Sequence, residues 1–230
     1  MPVRISHLVA GAAVALCAGL AQAQVSVSIF NPGTSSISSL GFVQVGNTLQ
    51  ISTTWTSTAG SFLLIDGMNT AANYTVEHTI TNNSGQTWTR FANELLDPSG
   101  QSNDSLDPLP QPSFVPAGYT TSNDNDGLSF AQGSGLARTS SVFASLTVDE
   151  LSDVRDFLDF FNGSQANGET DTFTTFGLRD NSSNQPFLLA LRPNARSVPV
   201  IPEPETYALM LAGLGVVGFM ARRNKRRTPA

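Results

Sequence analysis

The chain has 230 residues, a formal charge of −6 and 40% hydrophobic residues, with one cysteine and two histidines. A single cysteine excludes an internal disulfide framework, and the excess of acid excludes a nucleic-acid partner, whose phosphates an acidic surface repels. This length suits one domain around a single core once terminal signals are set aside.

The N-terminus opens with Arg4 and His7, followed by an apolar, alanine-rich run from Leu8 to Leu20. Ala21-Gln22-Ala23 then supplies the small residues that signal peptidase requires. The pattern predicts a signal peptide over 1–23 and Gln24 as the new N-terminus. The bland alternative, an uncleaved anchor, is disfavoured by the short run and the Ala-x-Ala. Lipidation of Cys17 would need a small residue before it, and Leu16 stands there.

With both ends removed, residues 24–201 keep six of the twelve cations and sixteen of the eighteen acids, a formal charge near −10 without any lysine. Period-two alternation dominates this body, a 24–198 ectodomain. Val25–Phe30 alternates, as does Thr48–Ser52 leading to Trp55. Tyr74–Ile80 alternates and runs into Asn82-Asn83-Ser84-Gly85, a turn signal. Gln86–Phe91 then reads as the returning strand of a hairpin. Further strands are predicted at Ser61–Asp66, Ser140–Leu146, Asp171–Arg179 and Pro186–Arg192. Short strands with polar turns predict a mainly β domain, a single antiparallel β-sandwich of jelly-roll or immunoglobulin-like type.

Two segments interrupt that pattern. Leu96–Gly127 is rich in Pro, Ser, Asn and Asp and predicts a long functional excursion or flap. Thr147-Val148-Asp149-Glu150 reads as a capping box opening one short helix, with Leu151, Val154, Phe157 or Leu158, and Phe161 at helical spacing. Asn162-Gly163 would end it.

Most catalytic patterns fail on inspection. His78 is the only histidine of the body and shares a strand face with Val76 and Ile80, so a half-buried core position is the better reading. One histidine without cysteine makes no typical zinc site, and no Gly-x-Ser-x-Gly elbow is present. The expectation is a body that is not an enzyme. Ser122, Asp124 and Asp126 alternate ahead of Gly127 as oxygen ligands do in a calcium loop, which makes Ca²⁺ the one candidate cofactor. The EF-hand form is excluded, because Gly133 stands where its last acid belongs, and an Asx-rich turn is the bland reading. Trp55, Trp88 and Tyr119 are the aromatic platforms for a carbohydrate-binding module.

The C-terminus has three parts. Pro202-Glu203-Pro204 is held extended by its prolines. Tyr207–Ala221 is uncharged and mostly apolar, and Arg222, Arg223, Lys225, Arg226 and Arg227 follow it. The order predicts a spacer, a transmembrane helix over 207–221 and a cytoplasmic stop, 222–227, set by the positive-inside bias. The span is short, roughly 22 Å as a helix against a hydrocarbon core of about 30 Å. Snorkelling arginines and local thinning cover the difference. Gly213-Leu214-Gly215-Val216-Val217-Gly218 matches a dinucleotide fingerprint by letter only, since no βαβ unit surrounds it.

These residues, over 199–227, resemble the PEP-CTERM sorting signal of exported proteins in Gram-negative bacteria that make exopolysaccharide. The resemblance implies recognition and removal of the tail by exosortase, a membrane protease-transpeptidase. It also implies an inner-membrane precursor that ends at the cell surface or in the extracellular matrix. Its expected partners are signal peptidase, exosortase and exopolysaccharide. For the body, three readings stand: a non-catalytic surface or biofilm-matrix component, a carbohydrate-binding module, or a secreted hydrolase.

Overall fold

The computed structural model describes residues 24–100, 111–123, 126–149, 155–182, 185–197 and residue 214. The predicted signal peptide, the sorting motif and the basic tail lie outside the described residues, as does the span apart from residue 214. Among the described residues no helix is long and apolar enough to cross a membrane.

The body is mainly β, with two sheets. The first contains β1 (Ser26–Phe30), β4 (Ser61–Asp66), β12 (Phe187–Pro193), β6 (Trp88–Pro98), β10 (Phe157–Gln165) and β9 (Ser145–Asp149), in that spatial order. The short β7 (Tyr119–Thr121) extends it beside the end of β6. The second runs β2 (Ile37–Val45), β3 (Thr48–Trp55), β5 (Tyr74–Asn82), β11 (Thr170–Asp180) and β8 (Leu128–Ser129).

The alternation in the sequence explains how the sheets meet. Leu49, Ile51 and Trp55 of β3 and Tyr74, Val76 and Ile80 of β5 turn inward and share one apolar cluster with Leu63, Phe91, Leu158, Leu189 and Leu191 of the first sheet. Trp55 joins the two layers, its ring 5.7 Å from Trp88 and 5.8 Å from Phe91, both edge to face. Such pairs contribute about 0.5–1.5 kcal/mol beyond the area they bury.

The first sheet is covered on its other face as well. Leu96, Leu188 and Ala190 form a second cluster there, under Phe114, Val115 and Tyr119. This accounts for β12, Phe-Leu-Leu-Ala-Leu, which does not alternate because both of its faces are buried. Of the excursion predicted over Leu96–Gly127, residues 96–98 instead belong to the end of β6, and the segment with Phe114, Val115 and Tyr119 is a cover over this sheet.

Four expectations are corrected. Tyr74–Ile80 and Gln86–Phe91 do not form a hairpin. β5 pairs with β3 and β11, whereas β6 pairs with β12 and β10. Asn82 directs this crossing between sheets, since its side-chain amide donates to the carbonyls of Gln86 at 2.8 Å and Gln165 at 3.0 Å. A local turn signal is the same for a hairpin and for an arch between layers. Nor is the fold wholly antiparallel: β3 and β5 run parallel from Thr48 opposite Thr75 to Trp55 opposite Asn82.

The predicted helix is replaced by strands. Phe157–Phe161 pairs with Ser145–Asp149 on one side and with Arg90–Glu94 on the other. Leu158 and Phe160 enter the core at period two, so two-sided pairing overrides the helical spacing. Residues 150–154 lie outside the described residues. Asn162-Gly163, read as a helix end, is a kink in β10, with Asn162 at φ 61° and the register shifting between Phe161 and Gln165. Finally, the strand expected over 140–146 begins later, at Ser145.

Candidate functional site

The outer face of the first sheet carries a dense polar group. Glu94, on β6, is fully buried and is gripped by two guanidinium groups. Arg155, just before β10, donates to its carboxylate at 2.5 and 2.6 Å, and Arg192, on β12, donates at 2.7 Å. Phe114, from the covering loop, lies under Arg192 with the guanidinium carbon 3.8 Å from the ring centroid. Burial pushes the Glu94 carboxyl above its ordinary range, and the charges of Arg155 and Arg192 pull it back.

The network continues to the last described residues of the body. Arg192 donates to the Ser197 hydroxyl at 3.0 Å. Ser197 in turn donates its backbone N–H at 2.8 Å and its hydroxyl at 2.9 Å to the two oxygens of Asp159, on β10. Burial raises Asp159, and the Ser197 hydrogen bonds and the charges of Arg192 and Arg90 act against that. Strand register explains the assembly, because Arg192 is opposite Ala92 and Ala92 is opposite Asp159. The arrangement fastens the chain just before residue 200. Sequence reasoning missed it. The available signal was charge inside apolar runs: Glu94 before Leu95-Leu96, Asp159 amid Phe157–Phe161, and Arg192 after Phe187–Leu191.

The residues singled out in the sequence are scattered. Trp55 and Trp88 are fully buried against each other, so neither offers a face to a sugar, and that expectation is corrected. The indole N–H groups are spent inside the protein, Trp55 on Thr53 Oγ1 and Trp88 on Ser84 Oγ. Tyr119 is half-buried with its ring 5.5 Å from Phe30, and burial pushes its phenol upward. His78, expected to be half-buried in the core, is completely buried. Its Nε2 lies 2.9 Å from Thr53 Oγ1, and burial pulls its pKa down to about 3.

Of the candidate calcium loop, Asp124 lies outside the described residues. Ser122 is buried, with its hydroxyl 2.7 Å from Asp156 Oδ2 and 3.2 Å from the Leu128 carbonyl. The Asp126 carboxylate accepts the N–H groups of Asn123 at 2.9 Å and Leu128 at 2.7 Å. Those contacts make an Asx turn. Among the described residues no group of three or more His, Cys, Asp and Glu could hold a metal.

Fold and fastening define a two-sheet, mainly β body tied down immediately ahead of a C-terminal signal. That signal matches a family model, the PEP-CTERM protein-sorting motif, over residues 200–227. The chain thus carries the motif on which exosortases act. No curated protein and no solved structure matches the chain at a significant level.

Proposed function

We propose that this chain is an exported exosortase substrate whose non-catalytic β-sandwich body is delivered to the cell surface or the extracellular matrix. The observation that carries the reading is the motif match over 200–227, with its apolar run and basic end. Signal peptidase removes residues 1–23. The precursor then sits in the inner membrane with the body outside and Arg222–Arg227 in the cytoplasm until exosortase removes the tail. The resemblance, rather than any residue of the body, carries the association with exopolysaccharide.

The body supports a non-catalytic role through the state of its only histidine. His78 is neutral at physiological pH and sealed in the core, so it does not serve a surface substrate as a base. The fastened end also suits the reading. Pro202 is five positions beyond Ser197, a reach of at most about 18 Å, so the folded body stays close to the membrane that holds its enzyme. Intact mass of the chain recovered from the surface of its native host tests the proposal. A C-terminus ahead of Arg222 is expected, and a surface-released chain that still carries Arg222–Arg227 would overturn it.

A further inference from the structure

We infer that β2 is a self-association edge, through which two copies of this chain join their second sheets by antiparallel pairing. Among the described residues β2 pairs on one side only, with β3. After a bulge between Ile37 and Ser39 it runs regularly to Val45, and it contains no charge and no proline, two of the features with which open sheet edges are protected. The first sheet ends instead on strands of five residues, β1 and β9, and the second sheet's far edge is the two-residue β8.

The side chains of β2 favour a second copy as the occupant. Val43 and Val45 are 56% and 59% exposed and stand on the outer face of the sheet beside Gly41. The pleat permits only registers that set outward residues opposite outward residues. A twofold axis at Val43 satisfies this: Val43 meets Val43 of the second copy, and each Val45 meets Gly41 of the other. Gly41, without a side chain, leaves room beside that valine at the rim of a depression of about 310 Å³ that runs over β3 and β5, lined by Gln50, Ser52 and Glu77. β2 itself carries no charge, so two acidic bodies can meet here without setting a charge of the strand against its own copy. The Glu77 carboxylate beside it already accepts from Gln50 Nε2 at 3.0 Å.

Cysteine crosslinking on the full chain in detergent tests the inference, with Cys17→Ser removing the sole native thiol. Residues opposite each other in an antiparallel pair have Cα atoms about 4.5–5.5 Å apart, within disulfide reach. Val43→Cys should therefore give a covalent dimer on mild oxidation, whereas Thr89→Cys, exposed on the other sheet, should not. Dimers held through residues 207–221 would not form the bond at 43. Separately, Val43→Lys places like charges opposite each other and should weaken self-association about fivefold, with an unchanged melting temperature showing that the fold is intact. Crosslinking at 43 no faster than at 89, or association indifferent to Val43→Lys, overturns the inference.

Discussion

Arg192 donates to the buried carboxylate of Glu94 at 2.7 Å, and the same guanidinium reaches Ser197 at 3.0 Å. One side chain thus links the centre of the first sheet to the end of the body. Replacing Glu94 by Gln strands the two arginines that converge on it, and breaking a buried pair in this way costs about 3–5 kcal/mol. For a domain of this size the melting temperature should fall by about 10 °C. The double change Glu94→Leu with Arg192→Leu leaves fewer orphaned charges and should cost less than Glu94→Gln alone. Calorimetry on the three chains decides, and a single-variant loss below about 1 kcal/mol would show that the network is not a fastening.

His78 gives the fold a pH dependence whose sign follows from burial. Its folded pKa, about 3, is below the ordinary 6.5, so between those values the unfolded chain binds more protons. The contribution to stability is complete above pH 6.5 and is lost progressively as pH falls towards 3. Its full size is of the order of 5 kcal/mol. Glu94 and Asp159 are raised by burial and act in the opposite sense over the acid range. The difference between wild type and His78→Gln isolates the histidine. Denaturant midpoints taken from pH 7 to pH 4 should converge for the two chains, and parallel curves would contradict the assignment.

Legibility in the sequence followed the number of buried faces. Strands with one covered face, such as β3 and β5, alternate and were readable, and His78 was correctly placed by its neighbours. β12 was found from an apolar run, whereas β10 was mistaken for a helix because Phe157–Phe161 is apolar on both sides of Asp159. β2 was missed, although Leu40 and Phe42 alternate ahead of the Gly46-Asn47 turn that joins it to β3. Layer assignment was not legible at Asn82–Gly85, where pairing partners are set by residues 80 or more positions away, such as Gln165. The sorting signal was fully legible, because its physical requirements are local: prolines, an apolar run and cations.

Glycine at 163 is demanded by a close approach. A Cβ there would clash with the Val142 carbonyl oxygen and lie 3.0 Å from Phe143 Cα, and both obstacles are backbone. Gly163→Ala must therefore displace the chain leading into β9, at a cost of about 1–3 kcal/mol. Gly33 is the control, since its added Cβ meets nothing within 4 Å and its φ is not positive. Gly33→Ala should be neutral or stabilise by about 0.4–1 kcal/mol through the unfolded state. Equal melting temperatures for the two variants would refute the reading of β10 as kinked against residues 142–143.

Sorting should depend on the motif and not on the fastening that precedes it. Pro202→Ala with Pro204→Ala removes the constraint that keeps the recognition segment extended and lets a helix begin before Glu205. The expected outcome in the native host is a precursor retained in the inner membrane, with Arg222–Arg227 still attached by intact mass. Asp159→Ala supplies the contrast, because it frees Ser197 and weakens the body while leaving residues 200–227 unaltered. That variant should reach the surface with the wild-type C-terminus in lower yield. Reporter fusions at residue 150 and at Ala230 complete the test, since the basic tail resists translocation and the two should report opposite compartments. Normal release of the proline variant would detach the motif from sorting, and one compartment for both reporters would remove the span from Tyr207–Ala221.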